Sequence, residues 1–280
     1  MRIVPVCYRL RAGEAAISRR RDSDTGKIHP VLSLLFASGK RPDARAIERL
    51  ISAVPPARSR SDSRPGIAFS LSHSSGPDAE WLELLAQGLS FDCQGIAPKG
   101  VPVPTVDKPT AFFGIDRAAV DAAPEAITLM PGPHLAGSEG LLPVVRSLAG
   151  LGARLTCLPG VVAVCWEPAR SAMAPAYFAR IVDAWLGGGA FPALGLTSLE
   201  RTGNGALCSQ GLAFLTGQEL IVEAGEGKTA ADLARVAIRF AHELVESGPL
   251  GSPRDLLGPD GEQLRATPED RGRLIRLSWR

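Results

Sequence analysis

Aromatic residues are scarce in this chain, at 5% of the sequence, so its core has to be assembled mainly from Leu, Val, Ile and Ala. An excess of charge of either sign is missing too. The 31 Lys and Arg nearly cancel the 29 Asp and Glu and leave +2; so balanced a chain projects no broad field to steer nucleic acid or an anionic membrane. Lysine is rare beside arginine, and the one dense patch, Arg19-Arg20-Arg21, is followed by Asp22 and Asp24, the pattern of a solvated loop rather than a nucleic-acid arm. No apolar run approaches the roughly 18 residues of a membrane span. The five cysteines (Cys7, Cys93, Cys157, Cys165, Cys208) are odd in number and lack any CxxC spacing, so neither a disulfide framework nor a zinc site follows. The apolar patch Ile3 to Val6 is cut by Pro5 and soon meets arginines, which is too short for a secretory leader. The expectation is a cytoplasmic chain with no cofactor and no membrane partner.

Hydrophobic residues make up 45% of 280 residues, an ordinary globular share. Val31 to Phe36 reads as a buried strand closed by Ser38-Gly39. Asp43 is placed to cap a helix whose apolar face is Ile47, Leu50, Ile51 and Val54, stopped by Pro55-Pro56. Ile67 to Leu71 reads as strand and Glu80 to Ile96 as extended chain with a bend, while the prolines between Pro98 and Pro109 dictate an irregular connection. A short helix over Ile115 to Ala122 follows. The pattern then restarts: strand Ala126 to Met130, a helix capped by Ser138 with Leu141, Val144, Val145 and Leu148 on one face, and strand Val161 to Trp166. A helix from about Ala174 ends at Gly187-Gly188-Gly189. Ala193 to Glu200 and Ala206 to Leu215 read as strands, the latter in a hairpin with Glu219 to Glu223. Thr229 and Asp232 make a capping box for a helix buried through Leu233, Val236, Ala237, Phe240 and Leu244. Leu274 to Trp279 reads as an edge strand.

Two stretches repeat the order strand, helix, strand, with starts at Val31 and Ile67 in the first and Ile127 and Val161 in the second. Downstream of each, Gln87-Gly88-Leu89-Ser90-Phe91 is echoed by Gln210-Gly211-Leu212-Ala213-Phe214. The fold class expected is α+β: an internal duplication of two related ferredoxin-like βαβ-containing units, each an antiparallel or mixed sheet with helices on one face. The expected division is an N-terminal arm or hairpin over 1–30, a first unit over 31–124 and a second over 125–280.

From Val161 onward the chain resembles a bacterial family of unknown function, number 4261. The likeness rests on the strand Val161-Val162-Ala163-Val164-Cys165-Trp166-Glu167, on the segment Gly211 to Glu223 in a Gly-Leu-x4-Gly-x-Glu-x2-Val-Glu-like pattern, and on a capped amphipathic helix followed by Asp260-Gly261. The family favours Thr near Cys208, where this chain departs. The resemblance implies an α+β fold and no established activity.

Several residues stand as candidates for chemistry. Gly225-Glu226-Gly227-Lys228-Thr229 joins a strand to a helix, the setting in which N–H groups and a lysine hold phosphate; a P-loop, however, needs a glycine where Val222 stands, so a plain turn capped by Thr229 explains the same residues. His73 and His134 fall just past strand ends at equivalent places in the two repeats, beside serines in the first case. His29 and His242 complete the histidines, and none of the four has metal-ligand spacing. Glu219 and Glu223 share one face of a strand, as an acid–base pair would. Trp166 and Glu167 stand at a strand end where a pocket could be lined. No nucleophile, base and orienting group converge, which favours a non-catalytic binding or protein-interaction module over an enzyme. The alternative is a small-molecule enzyme working in the cleft between the two units, with His73, His134 and Glu219 as its first residues.

Overall fold

The computed structural model describes residues 30–53, 69–74, 80–96 and 100–280, the side chains of 72–74 excepted. The expected N-terminal arm, the Arg19–Arg21 patch, Cys7 and His29 lie outside the described residues. The chain is a mixed α+β protein of two compact units, with the division along the sequence between Leu196 and Thr197.

The first unit contains β1 (Leu32–Phe36), α1 (Ala44–Ser52), β2 (Phe69–Ser74), β3 (Trp81–Ala86), β4 (Leu89–Gln94), β5 (Ala111–Phe113), α2 (Arg117–Asp121), β6 (Glu125–Pro131), α3 (Leu142–Leu155), β7 (Val161–Trp166), β8 (Ser171–Met173), α4 (Pro175–Leu186) and a short turn, α5 (Ala193–Leu196). Its eight strands lie in the order β2-β3-β4-β6-β1-β7-β8-β5. β1 pairs antiparallel with both β6 and β7, so β6–α3–β7 is a parallel crossover split by β1. This corrects the expected layout. Strands assigned to separate units by the duplication pair directly in one eight-stranded sheet, and the boundary falls after residue 196 rather than 124.

Register decides which side chains share a face. Leu32 is opposite Leu129 and Trp166, and meets α3 so closely that a Cβ on Gly152 would come within 2.6 Å of its Cδ1. Trp166 is therefore core beneath α3, fully buried, and not a pocket wall. Ser33 and Leu35 point to the opposite face. There α2 and the 100–115 segment cover Leu35, Ala163, Cys165 and Ala172 through Val106, Phe112 and Val120. Asp43 caps α1, accepting from the Ala46 N–H at 2.7 Å. Ser138 does not cap α3, which opens at Leu142 without a side-chain cap and with a proline in its first turn.

The second unit contains β9 (Ser198–Arg201), β10 (Leu207–Gln210), α6 (Leu212–Thr216), β11 (Glu219–Val222), α7 (Ala230–Ser247), β12 (Arg254–Leu257), β13 (Gln263–Glu269) and β14 (Leu274–Trp279). Its six strands lie in the order β12-β13-β14-β11-β10-β9, with β11 and β14 parallel. β14 is thus an inner strand rather than an edge. The pentapeptide echo does not survive as a structural repeat: Gln87-Gly88 forms the positive-φ turn into β4, whereas Leu212–Phe214 is helical.

The Thr229 capping box forms as expected. Asp232 N–H donates to the Thr229 hydroxyl oxygen at 3.3 Å and Thr229 N–H to the Asp232 carboxylate at 2.8 Å. The Thr229 hydroxyl, donating to the same carboxylate at 2.7 Å, then the Thr229 N–H and the Arg235 guanidinium hold the Asp232 carboxyl down at about 2. Replacing Thr229 by Ala is expected to cost about 1 kcal/mol at the α7 N-terminus. Native-state hydrogen exchange of the Asp232 and Leu233 amides should then accelerate roughly five-fold, while amides of the first unit hold their rates.

Candidate functional site

β11 alternates Leu220 and Val222 to one side and Glu219, Ile221 and Glu223 to the other. The cross-strand partners of Ile221 are Cys208 and Arg276, so this side gathers an apolar cluster of Ala206, Cys208, Ile221 and Leu274. The hairpin Thr202–Ala206 stands at its margin. It is fixed by the Thr202 hydroxyl, which donates to the Asn204 side-chain oxygen and to the Ala206 carbonyl at 3.0 Å. Between hairpin and sheet lies a pocket of about 230 Å³. Ala206, Cys208 and Ile221 form its apolar wall; Thr202, Asn204, Glu223 and Arg276 supply polar groups, and exposed Ala224 stands at the rim.

Arg276 is clamped. Its Nε and Nη2 donate to the two oxygens of Glu269 at 2.8 and 2.9 Å, and its Nη1 donates to Glu223 Oε1 at 3.2 Å. The bidentate fork fixes the plane of the guanidinium as well as its position. Glu269 and Glu223 together hold the guanidinium even more firmly protonated than usual.

Of the residues named from the sequence as candidates for chemistry, Glu223 is the one that lines this pocket. Glu219 does not act with it. Its buried carboxylate accepts from the Ser209 hydroxyl at 2.5 Å and from the Gly211 and Ala213 N–H groups at 2.8 and 3.1 Å, tying the β10–α6 corner to β11. Burial pushes its carboxyl pKa up against those donors. Lys228 holds no phosphate loop open: it pairs with Glu262 at 3.1 Å and lies 4.7 Å over the Trp279 ring. Gly225 is required there, because a Cβ would fall 2.8 Å from the Trp279 ring. Thr229 is the helix cap already described.

In the first unit His134 stands just past β6, in a 3-10 turn (Pro133–Leu135), with Nδ1 3.4 Å from the hydroxyl of buried Ser90. Gly132 permits that approach, since a Cβ would meet Ser90 Oγ at 2.7 Å. His73 is not in the equivalent loop. It lies inside β2 opposite Glu83, with β3 and β4 between β2 and β6; its side chain is outside the described residues. Glu83 in turn faces Asp92 across β3 and β4. Burial and the Glu83 charge raise the Asp92 carboxyl while His134 opposes them.

Among the described residues of this unit, Glu167 has the most displaced carboxyl. It follows β7, accepts a hydrogen bond from the fully buried Ser33 hydroxyl at 2.7 Å, and is pushed up to about 7, chiefly by burial and also by the Asp107 charge. The neighbouring Cys165 thiol is raised to about 12, as is Cys93, again chiefly by burial; both are kept protonated and unreactive.

Sequence reasoning missed Thr202, Asn204 and Arg276. The Thr202-Gly203-Asn204-Gly205 run carried a turn signal, but nothing local announces that it leans over a sheet face next to an arginine more than 70 residues on. Ser33 was hidden inside an apolar run. Among the described residues, no group of three or more His, Cys, Asp or Glu is placed to hold a metal ion, and no helix is long and apolar enough to cross a membrane. Comparison of the chain with protein-family models, with curated proteins and with solved structures gives no match in any of the three.

Proposed function

We propose that this protein is a non-catalytic binding module that takes a small organic molecule in the pocket on the Ile221 face of the sheet in the 197–280 unit. The observation that carries the reading is the pairing of an apolar wall with fixed polar groups, Arg276 above all, in one pocket of about 230 Å³. Binding pockets characteristically combine an apolar lining with a few oriented polar groups. Glu223 and Arg276 are tied to each other and to Glu269, an arrangement suited to holding a ligand more than to moving protons. The likeness to the unknown-function family implies no activity, so the proposal stands on the pocket.

A thermal-shift screen over small metabolites is the test. A ligand at about 100 times its Kd stabilises the native state by roughly 2.7 kcal/mol. Ala224→Phe, at an exposed rim position, should abolish the shift while leaving the unliganded Tm within about 2 °C. A screen without a hit, or hits whose shifts survive Ala224→Phe, would count against the pocket.

The second reading, an enzyme, is favoured by one observation: a carboxyl raised to about 7 at Glu167 suits general acid–base work near neutral pH. Its partner Ser33 is fully buried, which sets that hydroxyl beyond the reach of a substrate.

A further inference from the structure

Resting on that pocket reading, we infer that the ligand is a short aliphatic primary amine, its ammonium on Glu223 and its alkyl chain against Ile221, Cys208 and Ala206. The charge count around the pocket leads there. Glu269 matches the Arg276 guanidinium with two parallel hydrogen bonds, which uses the guanidinium's fork and cancels its charge at short range. Glu223 is then the surplus charge. It takes a single hydrogen bond from Arg276, at 3.2 Å, whereas a carboxylate offers about four lone-pair sites. Among the described residues, its Oε2 accepts no further hydrogen bond. Its side chain is 39% exposed, so part of its hydration is exchangeable for a ligand's N–H groups at modest desolvation cost.

A carboxylate ligand meets the opposite situation. It would have to separate Glu223 from Arg276 and settle beside two carboxylates, with like charges at close range. Arg201 is a further cation beside the hairpin, with its Nη2 3.7 Å from the position of a Cβ on Gly205. It is exposed and does not line the pocket, so solvent and salt screen it. The apolar wall sets the rest of the ligand. Ala206, Cys208 and Ile221 are each less than 5% exposed and offer no side-chain oxygen or nitrogen, so an alkyl chain suits them and a second charge does not. The volume, about 230 Å³, corresponds to roughly seven or eight waters and limits that chain to a few carbons.

The experiment is calorimetric titration of the full-length chain, wild type and Glu223→Gln, with n-butylammonium, butanoate and butan-1-ol, with backbone amide shifts of Ala206 and Ile221 followed in parallel. Glu223→Gln preserves shape and leaves Arg276 its Glu269 clamp. Butylammonium is expected to bind and shift both amides, with affinity falling at least ten-fold in Glu223→Gln, and butanoate and butanol are expected to bind at least ten-fold more weakly than butylammonium. Should butanoate or butanol shift the two amides at equal or lower concentration, the amine assignment fails and the pocket stands. If Glu223→Gln leaves butylammonium affinity unchanged, the assignment also fails. Should no probe shift either amide, the pocket reading fails and the amine assignment falls with it.

Discussion

Replacing Glu167 by Gln is expected to raise the melting temperature at pH 8 and to leave it nearly unchanged at pH 4.5. In the folded chain this carboxyl lies at about 7 against an ordinary value of 4.5, chiefly because burial penalises its charged form. An acid whose pKa is higher folded than unfolded binds its proton more tightly in the native state. Stability therefore falls as pH rises from about 4.5 to about 7 and is level above that, where both states are ionised. The displacement corresponds to at most on the order of 3 kcal/mol, or roughly 6–12 °C in a chain of this size. Glutamine retains an oxygen for the Ser33 hydroxyl, which donates at 2.7 Å, and has no charge to bury. The difference in Tm between variant and wild type, scanned from pH 4.5 to 8, should rise from near zero to its maximum. Asp232, held down at about 2, titrates below that window. A flat difference curve, or a variant less stable than wild type at pH 8, would show that Glu167 is ionised at little cost.

The second large effect is expected at Glu219. Substitution by Ala removes the acceptor for the Ser209 hydroxyl and for the Gly211 and Ala213 N–H groups. Each donor left unpaired in a buried site costs about 1–3 kcal/mol, and removing the buried carboxylate's own desolvation offsets part of the sum. A net loss of about 3 kcal/mol is the expectation, read from the urea midpoint and from loss of exchange protection at Gly211 and Ala213. The companion substitution Glu223→Ala touches a half-exposed carboxylate with one 3.2 Å contact and should cost about 1 kcal/mol or less. If the two variants were equally stable, Glu219 would not be the tie that holds the β10–α6 corner.

That contrast separates what could be read in the sequence from what could not. Both glutamates sit at even spacing on one strand, and the periodicity placed them on one face. It could not tell that the Gln210-Gly211-Leu212 stretch turns into a helical turn whose N–H groups aim at Glu219. Five apolar or neutral residues, Leu212–Thr216, satisfy strand and helix patterns alike, and tertiary packing chose. Where local chemistry was unambiguous the reading held: Asp43 and Thr229 cap their helices, and Val161–Trp166 is a strand to the residue. Strand order was the blind spot. Hydrophobic spacing identifies β1 and β7 as buried, but nothing in it says that β1 slots between β6 and β7, and the supposed duplication was drawn from element order, similar strand spacing and a five-residue echo, none of which reports strand pairing. The pocket was hidden for the same reason. Thr202, Glu223 and Arg276 become neighbours because β11, beyond its expected antiparallel pairing with β10, pairs in parallel with β14, a long-range pairing that no short window of sequence contains.

The pocket itself is best tested by a crystal structure of the full chain soaked in a concentrated small organic probe such as n-butylammonium. The account predicts probe density between Ile221 and Arg276, with its alkyl carbons on Cys208 and Ile221 and its polar end within hydrogen-bond distance of Glu223. Ordered water alone in that space, or an Arg276 side chain released from Glu269 and folded down onto Cys208, would contradict it.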